Sequence, residues 1–253
     1  MISVYKEYIK NIPSLIVVEA NRKVEALPII TYFHGFTSAK EHNLPLAYLL
    51  AEKGYRVVLP DSEYHGEREI KASSETRQYA FWEIIIQNVN ELKDIKEYLD
   101  GKGLVQHDRF GVAGTSMGGI TTSAALTQYT WIKSAAVLMG TPKITAYAKA
   151  LVDNLTKSGD LQITEEQANE LYGKLEQYDL SKQLEKLNQR PLMFWHGDKD
   201  KVVPFDHSYT FYEEASRLYK ATDTIKFLKE SNRDHKVSRF AVLETAKWFE
   251  KHL

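Results

Sequence analysis

Short apolar runs rich in β-branched residues punctuate the chain at Leu15 to Val18, Ile29 to Phe33, Tyr55 to Leu59, Arg109 to Ala113, Ser134 to Leu138, Leu192 to Trp195 and Thr224 to Leu228. Several are apolar throughout instead of alternating, the pattern of strands buried on both faces in a mainly parallel sheet. Helix-length segments lie between them: Pro45 to Lys53, a long one around Glu75 to Asp100, Gly118 to Tyr129, Phe205 to Lys220 and Ser238 to Leu253. Within the long segment, Trp82, Ile85, Ile86, Val89, Leu92, Ile95 and Leu99 recur at three- and four-residue steps, one apolar face turned to a core. This β-α-β-α order predicts an α/β domain whose parallel strands are joined by right-handed crossovers.

The rhythm breaks from Thr141 to Arg190, a charge-rich, helix-forming stretch far longer than a plain β-α-β unit needs. Ile144, Tyr147 and Leu151, then Leu171, Leu175, Tyr178, Leu184 and Leu187, predict several amphipathic helices with a flexible break near Lys157 to Asp160.

Composition narrows the function. A length of 253 residues fits one large domain spanning 1–253, with 141–190 as an insertion within it. Lysine plus arginine (33) nearly cancels aspartate plus glutamate (34), so a nucleic-acid partner loses its electrostatic driver. Cysteine is absent, which excludes disulfides, thiol nucleophiles and thiolate metal sites. Met1 to Lys10 alternates charged and apolar residues without the core of a signal peptide, and no apolar run approaches the roughly 20 residues of a membrane span. A soluble, cytoplasmic protein with no membrane partner is the expectation.

The chemistry concentrates in Arg109-Phe-Gly-Val-Ala-Gly-Thr-Ser-Met-Gly-Gly-Ile120, an apolar strand, the turn Gly114-Thr115-Ser116-Met117-Gly118, and a small-residue helix. A serine hydroxyl is a weak nucleophile, and a tight strand-to-helix turn lifts it clear of the sheet where a base can reach it. The same turn aims the Met117 amide and the helix N-terminus at the space where an oxyanion would develop.

The partners of such a serine follow it in the order carboxylate, histidine. His34, His42, His65 and His107 precede Ser116, and His252 closes the last helix, leaving His196, His207 and His235. His235, in a polar loop between the last strand and the last helix, is the candidate base. Asp200, at the apex of the turn after Leu192 to Trp195, is favoured as the acid over Asp198 and over Asp234, which adjoins His235. His196 is expected to brace that turn. A second oxyanion donor is expected from the Phe36 amide after Ile29 to Phe33, with Gly35 allowing the sharp turn and His34 holding the loop together.

Together, His34-Gly35-Phe36, Gly114-Thr-Ser116-Met-Gly118, His196-Gly-Asp-Lys-Asp200 with Val203-Pro204, and His235 resemble the serine esterases of the α/β-hydrolase superfamily. With Pro60-Asp61-Ser-Glu-Tyr-His65-Gly66-Glu67-Arg68, the chain looks most like small bacterial carboxylesterases of the prolyl-oligopeptidase-like and dienelactone-hydrolase-like branch; feruloyl and cinnamoyl esterases are similar too. The resemblance implies Ser116 as nucleophile, His235 as base, Asp200 as acid, and the Phe36 and Met117 amides as oxyanion hole. It places a lid at 141–190 and implies a small-molecule ester substrate, with no metal or organic cofactor required. Dienelactone hydrolases proper use a cysteine nucleophile, so their own activity is not expected here. Glu67 and Arg68 are expected to form a structural ion pair, and apolar faces on the lid helices would also serve to pair subunits in a homodimer. The expected reaction is hydrolysis of short-chain or aromatic carboxylic esters through an acyl-enzyme. A peptidase, an acyltransferase and a noncatalytic binding module on the same fold are the alternatives.

Overall fold

The computed structural model describes residues 1–69, 74–159 and 161–253. Among these, eight strands form one sheet: β1 Ile2–Ile9, β2 Ile12–Glu19, β3 Leu27–Phe33, β4 Arg56–Pro60, β5 Val105–Thr115, β6 Ser134–Leu138, β7 Leu192–Gly197 and β8 Ile225–Glu230. Their order is β1-β2-β4-β3-β5-β6-β7-β8. The β1–β2 and β2–β4 pairs are antiparallel; every later pair is parallel. The helices among the described residues are α1 Leu44–Glu52, α2 Ser74–Tyr79, α3 Phe81–Gly101, α4 Met117–Gln128, α5 Ile144–Ser158, α6 Glu165–Glu176, α7 Phe205–Ser216 and α8 Arg239–His252.

Uninterrupted apolar strands follow from the two cores they feed. Ile29, Val112 and Phe194 join one cluster with Trp82, Val89, Leu92 and Ile95 of α3 and Ile120 of α4. Their neighbours Ile30, Ala113 and Trp195 join a second with Leu46 and Leu50 of α1 and Trp248 and Phe249 of α8. Because side chains alternate across a strand, both odd and even positions must be apolar when both faces are covered.

Every apolar run in the sequence lies largely or wholly within an observed strand, but β1 goes beyond them. Its side chains alternate between half-buried and exposed because it is the sheet's edge, paired only with β2, so its apolar content is diluted. The long helix is broken at Ala80, where the Phe81 ring turns to meet Phe36 and Trp82 edge-on at centroid distances of 5.4 and 5.0 Å. The Glu75 side chain, and Asp160 of the expected flexible break, lie outside the described residues.

The segment 141–190 forms α5, α6 and two short 3₁₀ turns, Leu180–Lys182 and Leu184–Leu187. Its ends are tied down. The buried Asp179 carboxylate accepts the Thr145 amide at 2.8 Å in the first turn of α5, and Thr164 and Gln167 cap α6 reciprocally. Arg190, buried, donates to the carbonyls of Tyr129 and Leu126, both at 2.7 Å, satisfying acceptors at the C-terminal end of α4. Among the described residues, no helix is long and apolar enough to cross a membrane.

Candidate active site

Register brings the chemistry to one edge. Phe33 pairs with Gly114, and Gly197 with Glu230, so the segments leaving β3, β5, β7 and β8 emerge together at the carboxyl ends of the parallel strands. Ser116 sits between β5 and α4 with φ 55° and ψ −114°, a strained backbone for a residue with a Cβ, and its amide is held by the Leu138 carbonyl at 2.9 Å. The turn closes this tightly because Gly114 and Gly118 lack side chains: a Cβ on Gly118 would lie 2.1 Å from the Phe33 carbonyl oxygen, and one on Gly114 would lie 2.3 Å from the Gly118 backbone.

His235 Nε2 lies 2.8 Å from Ser116 Oγ, and its Nδ1 lies 2.6 Å from Asp200 Oδ2. With Asp200 ionised, Nδ1 must donate to it, leaving the Nε2 lone pair free to accept from the serine hydroxyl. Burial by itself would raise the Asp200 carboxyl, but hydrogen bonds from His196, His235 and the Val202 amide hold it far below the ordinary aspartate range. Its Oδ1 accepts the Val202 and Val203 amides at 2.8 and 3.0 Å.

Comparison with known proteins gives the family of the chain. Residues 45–253, from α1 through the last helix, match the model of the prolyl oligopeptidase family. The chain belongs to the prolyl oligopeptidase family. It is a serine hydrolase with the α/β-hydrolase fold. It is 44% identical over 255 residues to "Putative esterase YitV" of Bacillus subtilis (strain 168), covering all of both chains. It is 29% identical over 265 residues to "Esterase YjfP" of Escherichia coli (strain K12), again across both whole chains. Among solved structures it is similar to TT1662 from Thermus thermophilus, with a TM-score of 0.78 and 17% identity over 99% of this chain and 98% of that one, a likeness of fold.

The family match begins after Phe36, so the loop leaving β3 stands on its own geometry. His34, fully buried, donates from Nδ1 to the Gly35 carbonyl at 2.8 Å and accepts the Ser62 amide on Nε2 at 3.0 Å. Burial pushes its pKa down to about 4, so the ring is neutral and can accept. His65 repeats the device: Nε2 accepts the Thr37 amide at 3.1 Å, Nδ1 donates to the Glu63 carbonyl at 2.7 Å, and burial lowers its pKa. A buried Lys40–Asp61 pair at 2.5 Å locks the same two loops. Phe36 thereby stands beside Ser116, whose Cβ lies 3.6 Å from where a Gly35 side chain would begin. Met117, as the first residue of α4, offers an amide with no acceptor inside the helix.

Two details depart from the sequence reading. Glu67 and Arg68 do not pair with each other: Glu67 meets Lys40 and Lys6, whereas Arg68 grips Glu91 of α3 through two bonds of 2.8 and 2.9 Å. Their sequence adjacency points the two side chains in different directions, toward different elements. His196 does brace its turn, through Nε2 to the Val203 carbonyl at 3.1 Å, but the same nitrogen also lies 3.0 Å from Asp200 Oδ2. The spacing of four residues across a turn was the only sequence signal for this contact. Asp198 instead accepts the Asn232 amide at 2.7 Å, fastening the loop that carries His235, while Asp234 is exposed. Gly197 is required here, since a Cβ would fall 2.4 Å from the Arg233 carbonyl oxygen of that loop.

Two cavities meet at Ser116, each about 620 Å³. One is an apolar chamber walled by Phe36, Phe81, Trp82, Tyr147, Leu155 and Leu171, lying between α3, α5 and α6. The other opens between α1 and α8 and also exposes His235. Tyr147 joins the chamber to the acid: its hydroxyl donates to the Val202 carbonyl at 3.1 Å, and burial, with the Asp200 charge, pushes its pKa up to about 12.

Proposed function

We propose that this protein is a serine carboxylesterase that hydrolyses short-chain or aromatic carboxylic esters through an acyl-enzyme. The single observation that carries this reading is the continuous hydrogen-bonded line from Ser116 Oγ through His235 to Asp200. His235 Nε2 takes the Ser116 proton as Oγ attacks the ester carbonyl. The carbonyl oxygen, now negative, accepts from the Met117 and Phe36 amides. His235 returns its proton to the departing alcohol as the acyl C–O bond breaks. Water, deprotonated in turn by His235, then attacks the acyl-serine, releasing the acid and restoring the hydroxyl.

The apolar chamber supports the acyl assignment. Its volume lies within the range of small-molecule sites, and its aromatic walls suit an aryl or short alkyl acyl group. In this reading α5 and α6 act as the lid, since they close the chamber and govern what enters. The two whole-chain relatives named as esterases support ester substrates over peptides. Ser116→Ala tests the proposal: cleavage of p-nitrophenyl butyrate should vanish while thermal unfolding stays that of the parent. Retained turnover in a pure sample, or faster cleavage of aminoacyl amides than of esters by the parent enzyme, would refute it.

A further inference from the structure

The second cavity has no role in the acyl assignment, yet it contains the atom that must protonate the leaving group. Ser116 lines both cavities, but His235 lines only the one between α1 and α8. A leaving alkoxide has to lie against the imidazole that gives it a proton, so the alcohol half of the ester must occupy that cleft and the acyl half the chamber.

The cleft differs in chemistry from the chamber. Ser38, His42 and Asn43 bring polar groups to its wall, which also includes Val237 and Val242. Its lining among the described residues includes one lysine, Lys236, beside the histidines His42 and His235, and no carboxylate. Lys236 is exposed and, among the described residues, joins no ion pair. The lining of the chamber, by contrast, includes Glu83 and Glu170, the latter paired with Lys174 at 2.7 Å.

We infer that the cleft between α1 and α8 is the alcohol-binding site, and that Lys236 selects esters whose alcohol carries an anionic group. The inference rests on the esterase reading and deepens it: the substrate class becomes an ester of an apolar or aromatic acid with a polar, negatively charged alcohol. In the balanced step, the ester C–O bond breaks, the His235 proton goes to the leaving oxygen, and the anionic alcohol departs through the cleft while the acyl group stays on Ser116.

Three esters test this. The first is the ortho-nitrophenyl ester of butanoic acid; the second is its analogue with a carboxylate on the nitrophenol ring; the third is the ortho-nitrophenyl monoester of glutaric acid, with the carboxylate on the acyl side. Lys236→Gln should lower kcat/KM for the ring-carboxylate ester relative to the neutral ester by about two- to fivefold, the scale of one exposed ion pair. Lys236→Glu should lower that ratio further, and added salt should shrink the parent enzyme's preference by screening. The glutarate-to-neutral ratio should not fall in either variant. An unchanged ring-carboxylate ratio, or a fall for the glutarate ester instead, overturns the cleft assignment while turnover of the neutral ester leaves the esterase reading standing. Turnover of none of the three by the parent enzyme overturns both.

Discussion

Replacing Asp200 with asparagine tests the hydrogen-bond logic at its centre. Four donors converge on the carboxylate: the Val202 and Val203 amides on Oδ1, and His235 Nδ1 and His196 Nε2 on Oδ2. Asparagine has one acceptor oxygen and one donor nitrogen for these two sides. With its oxygen toward the valine amides, its NH₂ faces His235, so Nδ1 must become the acceptor. The ring proton then moves to Nε2, pointing at Ser116 Oγ, and the base can no longer accept from the hydroxyl. The flipped amide keeps His235 satisfied but sets an NH₂ against two backbone N–H groups. Wrong-tautomer substitution of this kind costs on the order of 10⁴ in kcat, or about 5.5 kcal/mol. The unpaired buried donor should lower stability by about 1–3 kcal/mol, which leaves the enzyme folded and measurable. Steady-state kinetics with p-nitrophenyl butyrate, beside urea unfolding, reads both effects. An Asp200→Asn enzyme within tenfold of the parent would refute the tautomer argument.

Three further outcomes are expected. Gly118→Ala drives a Cβ into the Phe33 carbonyl and should part α4 from β3, lowering Tm and cutting kcat by about a hundredfold or more through displacement of the Met117 amide; parent-like kcat would contradict that placement. The kcat/KM of p-nitrophenyl esters should climb by about fourfold per acyl methylene, from about 0.8 kcal/mol each, until the chamber is full, and Leu155→Trp should move the plateau to shorter acids; a plateau that does not move would place the acyl group elsewhere. His34 has a folded pKa of about 4 against an ordinary 6.5, so between these values the unfolded chain binds a proton that the folded chain refuses. Its contribution is fully present above pH 6.5 and is lost as pH falls through 4, a full change of about 3 kcal/mol, reinforced by His65 in the same direction; urea unfolding at pH 7.5 and pH 5 should show about 2 kcal/mol of that loss, and His34→Asn should reduce the slope.

The sequence made the buried centre of the sheet and the serine turn legible because both are dictated locally. A strand covered on two faces has to be apolar throughout, and a nucleophile turn needs small residues where Gly114 meets Gly118. The edge strand β1 was obscured for the opposite reason, since half its side chains face solvent and its identity depends on β2 being next to it. The first part of β5 was similarly masked: His107 and Asp108 adopt φ of 46° and 56°, and the register with β3 shifts there, so polar residues occupy a strand that hydrophobicity alone would start later. The contact of His196 with Asp200, and the separate partners of Glu67 and Arg68, depend on how loops fold back onto the sheet edge. Beyond the four-residue spacing of His196 and Asp200, nothing in their immediate sequence encodes that. The two cavities belong to the same class of information, because each is walled by elements distant along the chain.

The most direct test of the central claim is to trap the covalent intermediate. The protein would be mixed with p-nitrophenyl butyrate, quenched in acid during the first turnover, digested and examined by peptide mass spectrometry. The account predicts a butyryl group on the peptide containing Ser116, formed as nitrophenol is released and absent in Ser116→Ala. Nitrophenol release with that peptide unmodified, and the acyl group found on another side chain, would contradict it.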